Sequence, residues 1–312
     1  MRVLFLAIAL IAAVPGSAAP YPPAAVVYLL TGGGYLGQIG DSFQGLHQNY
    51  LKMFPHPVIV FHTTAVDASE ILALASNRTD GSANVSAVQI QFTTPPFISS
   101  LPKGHCLCCC NNLTRSRTRP RVRAGHYNIE YCQMSRFRTL EMYWHPALAT
   151  FKYFMQIDTD TYFVKPLLFD PIEVMAKRHF VFGFREEQIR TPFNDCNHGM
   201  YEAIDGWINR SGVIPKYRPP FGASYCGNFN IGNLHFLRSE KYRAYAQWIN
   251  NEETGVFTQR WVDQAFLPNI LGLYFTRDRI VEFKELQTSV FHKSESLGKV
   301  AGASGGAGLL WS

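Results

Sequence analysis

Short runs of apolar residues recur along this chain, and the spacing of what lies between them constrains the fold more than anything else in it. Residues 25–30 (AVVYLL) are apolar without alternation and stop at Thr31-Gly32-Gly33-Gly34, which reads as an interior strand closed by a glycine turn. Val58–His62 (VIVFH), residues 87–92, Tyr153–Ile157 (YFMQI) and residues 179–184 (HFVFGF) have the same strand character. Between and beyond them, apolar residues fall at helical spacing over residues 41–53, 68–75, 131–145, 200–208, 241–250 and 260–271. Strands without a polar face that alternate with helices predict a single, mostly parallel central sheet with helices on both faces, an α/β fold. No internal repeat and no Pro/Gly linker divides the chain, so residues 20–296 are expected to form one domain.

The chain of 312 residues is 47% hydrophobic and 17% charged, enough apolar material for a large core and unlike a disordered sequence. Residues 1–19 combine Arg2, an apolar stretch from Val3 to Val14 and a small-residue end at Ala18-Ala19. They read as a signal peptide or a short signal anchor, too brief to span a bilayer comfortably. Acceptor triplets for N-glycosylation at Asn77, Asn84, Asn112 and Asn209 agree with a secretory-pathway address. The net charge of +6 has a local origin, because Lys103, Arg115, Arg117, Arg119, Arg121 and Arg123 share one stretch without an acid. No aromatic residues interleave with these arginines, so no nucleic-acid partner is expected. The same stretch holds Cys106, Cys108, Cys109 and Cys110, too crowded to wrap one zinc ion tetrahedrally. Residues 103–124 therefore read as an insertion or intron-derived sequence, and residues 297–312, rich in Gly, Ala and Ser, as a disordered tail.

In open α/β sheets, ligands bind at the carboxyl ends of the strands. Asp158 and Asp160 follow directly on the strand ending at Ile157, and in extended backbone both carboxylates would face one hard cation while Thr159 points away. A cation there suits a nucleotide-sugar donor, whose diphosphate gains negative charge as the sugar bond breaks. A rival motif, Gly32-Gly33-Gly34-Tyr35-Leu36-Gly37, matches the dinucleotide pattern G-x-G-x-x-G. That reading needs an acid at the end of the second strand, where the chain has Phe61-His62-Thr63-Thr64, and it is discounted. Asn228-Phe229-Asn230-Ile231-Gly232-Asn233 offers amides suited to sugar hydroxyls or to turns. Arg260-Trp261-Val262-Asp263 opens a helix with a ring that can stack on a sugar and a carboxylate that can take a hydroxyl proton. The same residues equally suit a buried Trp and a helix-start acid stabilised by the dipole. His292, taken alone, reads as a surface histidine before it reads as a metal ligand.

The order and spacing of these pieces resemble glycosyltransferase family 15, the Golgi α-1,2-mannosyltransferases that use GDP-mannose and Mn²⁺ on a GT-A fold. The family's Tyr-x-x-Met-Cys-Arg-(Phe/Tyr) segment is similar to Tyr131-Cys132-Gln133-Met134-Ser135-Arg136-Phe137, and its Glu-Pro-Asp to Asp158-Thr159-Asp160. Its Ser-Asn-Phe-Glu-Ile-(Gly/Ala)-Asn resembles Gly227 to Asn233, its Glu-Arg-Trp-Gly-Asp-Ala-Pro resembles Gln259 to Ala265, and its closing Tyr-His resembles Phe291-His292. The resemblance implies a GT-A-type fold and Mn²⁺, with Mg²⁺ as the alternative, held by Asp158, Asp160 and His292. It implies a donor site containing Arg136, Asp158, Asp160 and Trp261, with Tyr131, Asn230 and Asp263 as the catalytic set. The implied partners are GDP-mannose or another nucleotide sugar, a UDP-sugar included, and a glycan or glycoprotein acceptor. The implied location is the Golgi lumen, or the Golgi membrane if the N-terminus anchors the chain, with secretion as the alternative. One departure matters: Asn230 stands where the family has glutamate, and an amide cannot serve as an ordinary carboxylate nucleophile. That leaves same-face attack helped by the departing phosphate, a changed sugar, or a non-catalytic pseudoenzyme or carbohydrate-binding protein on the same fold.

Overall fold

The computed structural model describes residues 22–100, 129–189, 199–252, 255–259 and 261–293. The expected leader at 1–19, the anomalous segment 103–124, the tail 297–312 and Arg260 lie outside the described residues. Along the chain come β1 (Ala24–Leu30), α1 (Leu36–Leu46), β2 (Val58–His62), α2 (Ala68–Arg78), β3 (Val85–Gln89), α3 (Ile129–Arg136), β4 (Tyr153–Ile157) and β5 (Thr161–Phe163). There follow α4 (Pro171–Lys177), β6 (Phe182–Phe184), β7 (Glu187–Ile189), α5 (Met200–Ser211), β8 (Ala223–Tyr225), β9 (Phe229–Asn233), α6 (Leu234–Leu237) and α7 (Glu240–Gln247). The last elements are α8 (Gly255–Thr258), α9 (Asp263–Tyr274), β10 (Ile280–Glu282) and β11 (Val290–His292).

Seven of these strands form one sheet in the order β10-β6-β9-β4-β1-β2-β3. β9 runs against β4 and β6, and the other neighbours pair in parallel, so the sheet is mostly parallel as expected. All of β1 is buried, and its residues alternate between two cores: Ala25, Val27 and Leu29 face one, while Ala24, Val26, Tyr28 and Leu30 face the other. The first core is closed by residues of α5, α7 and α9 such as Ile204, Tyr245 and Phe266, the second by Ile39 and Phe43 of α1 and Met175 of α4. Each such apolar side chain contributes about 1.5–3 kcal/mol when fully buried, which is why β1 carries no polar face.

Two expectations need correction. The first helix begins at Leu36 rather than near residue 41, because one tight turn at Gly33–Tyr35 leads straight into it. Its glycines serve close packing: a Cβ on Gly45 would stand 2.8 Å from the carbonyl oxygen of Phe163, so only glycine lets α1 lie against β5. The amide run 228–233, read as suited to sugar hydroxyls or to turns, contains a central strand, β9, so the turn alternative does not describe it. Phe229 and Ile231 anchor it in the second core, and Gly232 admits the ring of Phe154, which a Cβ would overlap. Of the cysteines, Cys132 is disulfide-bonded and Cys226 is a free thiol.

Candidate active site

The carboxyl end of β4 is where the site is assembled. The Asp158 N–H donates to the Asn228 carbonyl at 3.1 Å, continuing the β4–β9 pairing by one residue, and the Thr161 N–H donates to the Asp158 carbonyl at 3.1 Å. Asp158-Thr159-Asp160 is thus a turn that reverses the chain into β5, and the two carboxylates approach through that turn rather than by strand alternation. The position of β5 is fixed from below, where Ser42 Oγ donates to the Thr161 carbonyl at 2.5 Å and bonds the Tyr28 hydroxyl at 2.8 Å.

β11 then pairs antiparallel with β5, placing His292 opposite Thr161, and the Lys293 N–H donates to the Asp160 carbonyl at 3.0 Å. This short ladder carries the imidazole across 132 positions of sequence (292 minus 160) to within 3.0 Å of Asp160, Nε2 to Oδ1. One ligand atom from each of Asp158, Asp160 and His292 lies within 4.8 Å of the others, and all three residues are half-buried. Burial pushes the Asp160 pKa up, but the hydrogen bond and charge of His292, with Lys293 behind, outweigh it and leave the pKa below its ordinary value. Two carboxylates and an imidazole form an oxygen–nitrogen donor set suited to a divalent cation such as Mn²⁺.

Arg138, a residue that the sequence patterns did not single out, sits behind this group in the turn following α3. Its side chain is 7% exposed, with Nη2 2.5 Å from Asp158 Oδ1 and Nη1 3.8 Å from Asp263 Oδ2. Burial works against the guanidinium charge, yet Asp158 and Asp263 prevail and raise its pKa, with a smaller contribution from Tyr131 on α3. An arginine amid the aromatic residues of 137–144 was the available clue, since a buried charge requires partners. Asp263 begins α9 and is buried; burial raises its pKa, Arg138 lowers it and Asp158 raises it again, for a net increase.

Asn230 lies on β9 beside Gln156 of β4 and is buried, with its Oδ1 lacking a hydrogen-bond partner among the described residues; the same holds for Asn228 Oδ1. Such unspent buried acceptors are uncommon in folded proteins. Two other expected residues are placed differently. Arg136 turns into a separate recess of ≈ 770 Å³, where it bonds Glu141 at 3.0 Å and Asn251 at 2.7 Å beside Thr93 and Phe97. Trp261 is 4% exposed and packs over Gly255, where a Cβ would overlap its ring. Its rings are core and offer no open face for a sugar, so the buried-Trp alternative describes it.

The model of the glycolipid 2-alpha-mannosyltransferase family matches residues 19–293. The chain belongs to that family. Among curated relatives, the probable mannosyltransferase KTR4 of Saccharomyces cerevisiae is 28% identical over 183 residues, covering 51% of this chain and 39% of KTR4. The mannosyltransferase KTR6 of the same yeast is 22% identical over 284 residues, 85% of this chain and 61% of KTR6, so the chain spans well under the full length of both. Among solved structures, core-mannan synthase A (CmsA/Ktr4) of Aspergillus fumigatus in its Mn/GDP form superposes with a TM-score of 0.65 at 20% identity, over 86% of this chain and 75% of that one. The mannosyltransferase Ktr4p of S. cerevisiae in complex with GDP superposes with a TM-score of 0.66 at 19% identity, over 86% and 71%. This likeness establishes that the glycolipid 2-alpha-mannosyltransferase fold, of GT-A type, is the fold of this chain.

Proposed function

We propose that this protein is a metal-dependent, retaining glycosyltransferase that moves mannose from GDP-mannose to a hydroxyl of a glycan or glycoprotein acceptor in the secretory pathway. The observation that carries this reading is the convergence of Asp158, Asp160 and His292 at the open end of β4, in a member of the mannosyltransferase family. The Mn/GDP form of core-mannan synthase A supports the choice of Mn²⁺ and of a guanine nucleotide. When bound by Asp158, Asp160 and His292, the cation supplies a Lewis acid for the leaving diphosphate.

The chain's own residues account for the remaining requirements. Asp158 and Asp160 are assigned to the diphosphate end of the donor. Arg136, which lines the separate recess with Glu141 and Asn251, is given no contact with the donor in this reading. Asn228 and Asn230 keep unspent amide oxygens, acceptors of the kind that sugar hydroxyls can satisfy. In the reaction the bond from the anomeric carbon to phosphate breaks with its electron pair leaving on GDP, and the acceptor oxygen bonds to that carbon on the same face. Its proton passes to the departing phosphate or to Asp263, whose raised pKa makes it a stronger base than an ordinary aspartate. Tyr131, near the Arg138 charge, is assigned to the same catalytic set. A Golgi location, luminal or anchored by residues 1–19, belongs to the same reading.

The decisive assay is release of GDP from GDP-mannose by purified protein with Mn²⁺ and a mannoside acceptor, with UDP-sugars in parallel. Transfer that persists in chelator, or in the Asp160→Ala protein, would contradict the assigned role. Asn230, in place of a glutamate, is the one observation favouring a second reading, a carbohydrate-binding protein without turnover. Calorimetry that detects nucleotide or glycan binding while no GDP is released would select it.

A further inference from the structure

Arg138 makes two carboxylates share one rigid cation. A guanidinium is a planar fork whose donors cannot move independently. With Nη2 on Asp158 and Nη1 facing Asp263, Arg138 sets the separation between the acid that ends β4 and the acid that begins α9, 105 positions apart (263 minus 158). The contact falls on Asp158 Oδ1, so the guanidinium and a metal would draw on the same carboxylate. Guanidinium and metal are both positive and both need Asp158, so they oppose each other. The Nε of Arg138 is buried and has no partner among the described residues, so the polar contacts of this side chain with them all go to the two carboxylates.

Resting on the reading of this site as a metal-dependent transferase, we propose that Arg138 is a positioning residue that weakens cation binding while holding Asp158 and Asp263 in the orientation transfer requires. The consequence separates it from a residue that merely fills space. Removing a structural arginine loosens the metal and slows the reaction together, whereas removing this one tightens the metal and slows the reaction.

The test uses the full chain with Arg138→Met and Arg138→Lys, titrating Mn²⁺ by the electron paramagnetic resonance of the free ion and measuring GDP release at saturating Mn²⁺. The Met protein is expected to bind Mn²⁺ about tenfold more tightly, from loss of the competing charge. Its kcat is expected to fall about 10²-fold with a smaller change in KM, because the carboxylates lose their fixed spacing. The Lys protein keeps the charge without the fork, so its Mn²⁺ affinity stays within about twofold of wild type while kcat still falls. Weaker Mn²⁺ binding in the Met protein, or an unchanged kcat in either protein, overturns the proposal. If the Met protein melts below assay temperature, the Lys protein decides alone: reduced kcat with retained affinity supports the proposal, and wild-type kcat overturns it. A wild-type protein that binds Mn²⁺ but transfers no sugar defeats the enzymatic reading instead. The Mn²⁺ titration of the Met protein then still shows whether Arg138 opposes the cation.

Discussion

Two aspartate–histidine pairs in this molecule have the same length and opposite character. His56 and Asp170 meet at 3.0 Å with side chains 4% and 0% exposed, and His292 and Asp160 meet at 3.0 Å with side chains 23% and 26% exposed. Asp170 is fully used: besides His56 it accepts from the Tyr50 hydroxyl at 2.7 Å and from the Ile172 N–H at 2.9 Å, capping α4. Asp160 stands beside a second carboxylate, in reach of solvent. Distance alone does not distinguish a clasp from a site. What distinguishes them is whether the acceptor oxygens are already spent and whether a ligand can arrive.

The largest effect expected from this contrast is on activity. Asp160→Ala should lower Mn²⁺-dependent GDP release by about 10³-fold, as loss of a metal ligand would. The same change should cost less than about 1 kcal/mol in a urea melt, because the pair is partly exposed. Asp170→Ala should do the reverse, costing about 3 kcal/mol of stability by stranding buried donors while leaving kcat of the folded protein near wild type. Equal loss of activity in both proteins would erase the distinction. Saturating Mn²⁺, at about a hundredfold over its dissociation constant, should stabilise wild type and Asp170→Ala by about 2.7 kcal/mol in calorimetric melts. It should leave Asp160→Ala nearly unmoved.

The smallest effect concerns a third aspartate, spent locally at the surface. Asp67 caps α2 by accepting from the Ser69 N–H and hydroxyl, each at 2.7 Å, and these bonds, the hydroxyl's first, hold its pKa below the ordinary value. A carboxyl whose pKa is lower in the folded than in the unfolded chain adds stability that is fully present above the unfolded value. That stability disappears as pH falls through the folded value. The urea midpoint of wild type should therefore exceed that of Asp67→Ala at neutral pH and converge with it in acid.

Much of this was legible in the sequence, for identifiable reasons. β2 and β4 lie where their unbroken apolar runs placed them, since burial on both faces leaves no other pattern. Asp158 and Asp160 follow β4 directly, so their place at a strand end was readable too. β9 was hidden, because its asparagines and glycine have turn chemistry and it is a strand only through the neighbours on either side. Trp261 was equally ambiguous until the neighbouring Gly255 showed that the ring is core.

By itself the sequence determined the local quantities: the periodicities that make strands and helices, the run that ends in paired acids, and the ordered motifs that mark the family. Only the tertiary structure decided which distant groups meet. His292 reaches Asp160 through a ladder of three residue pairs, and Arg138 joins Asp158 to Asp263, through contacts that no spacing rule encodes. The reason is physical: a side chain's partners across a sheet or turn are set by how the whole core packs, whereas a strand's burial is written in its own residues.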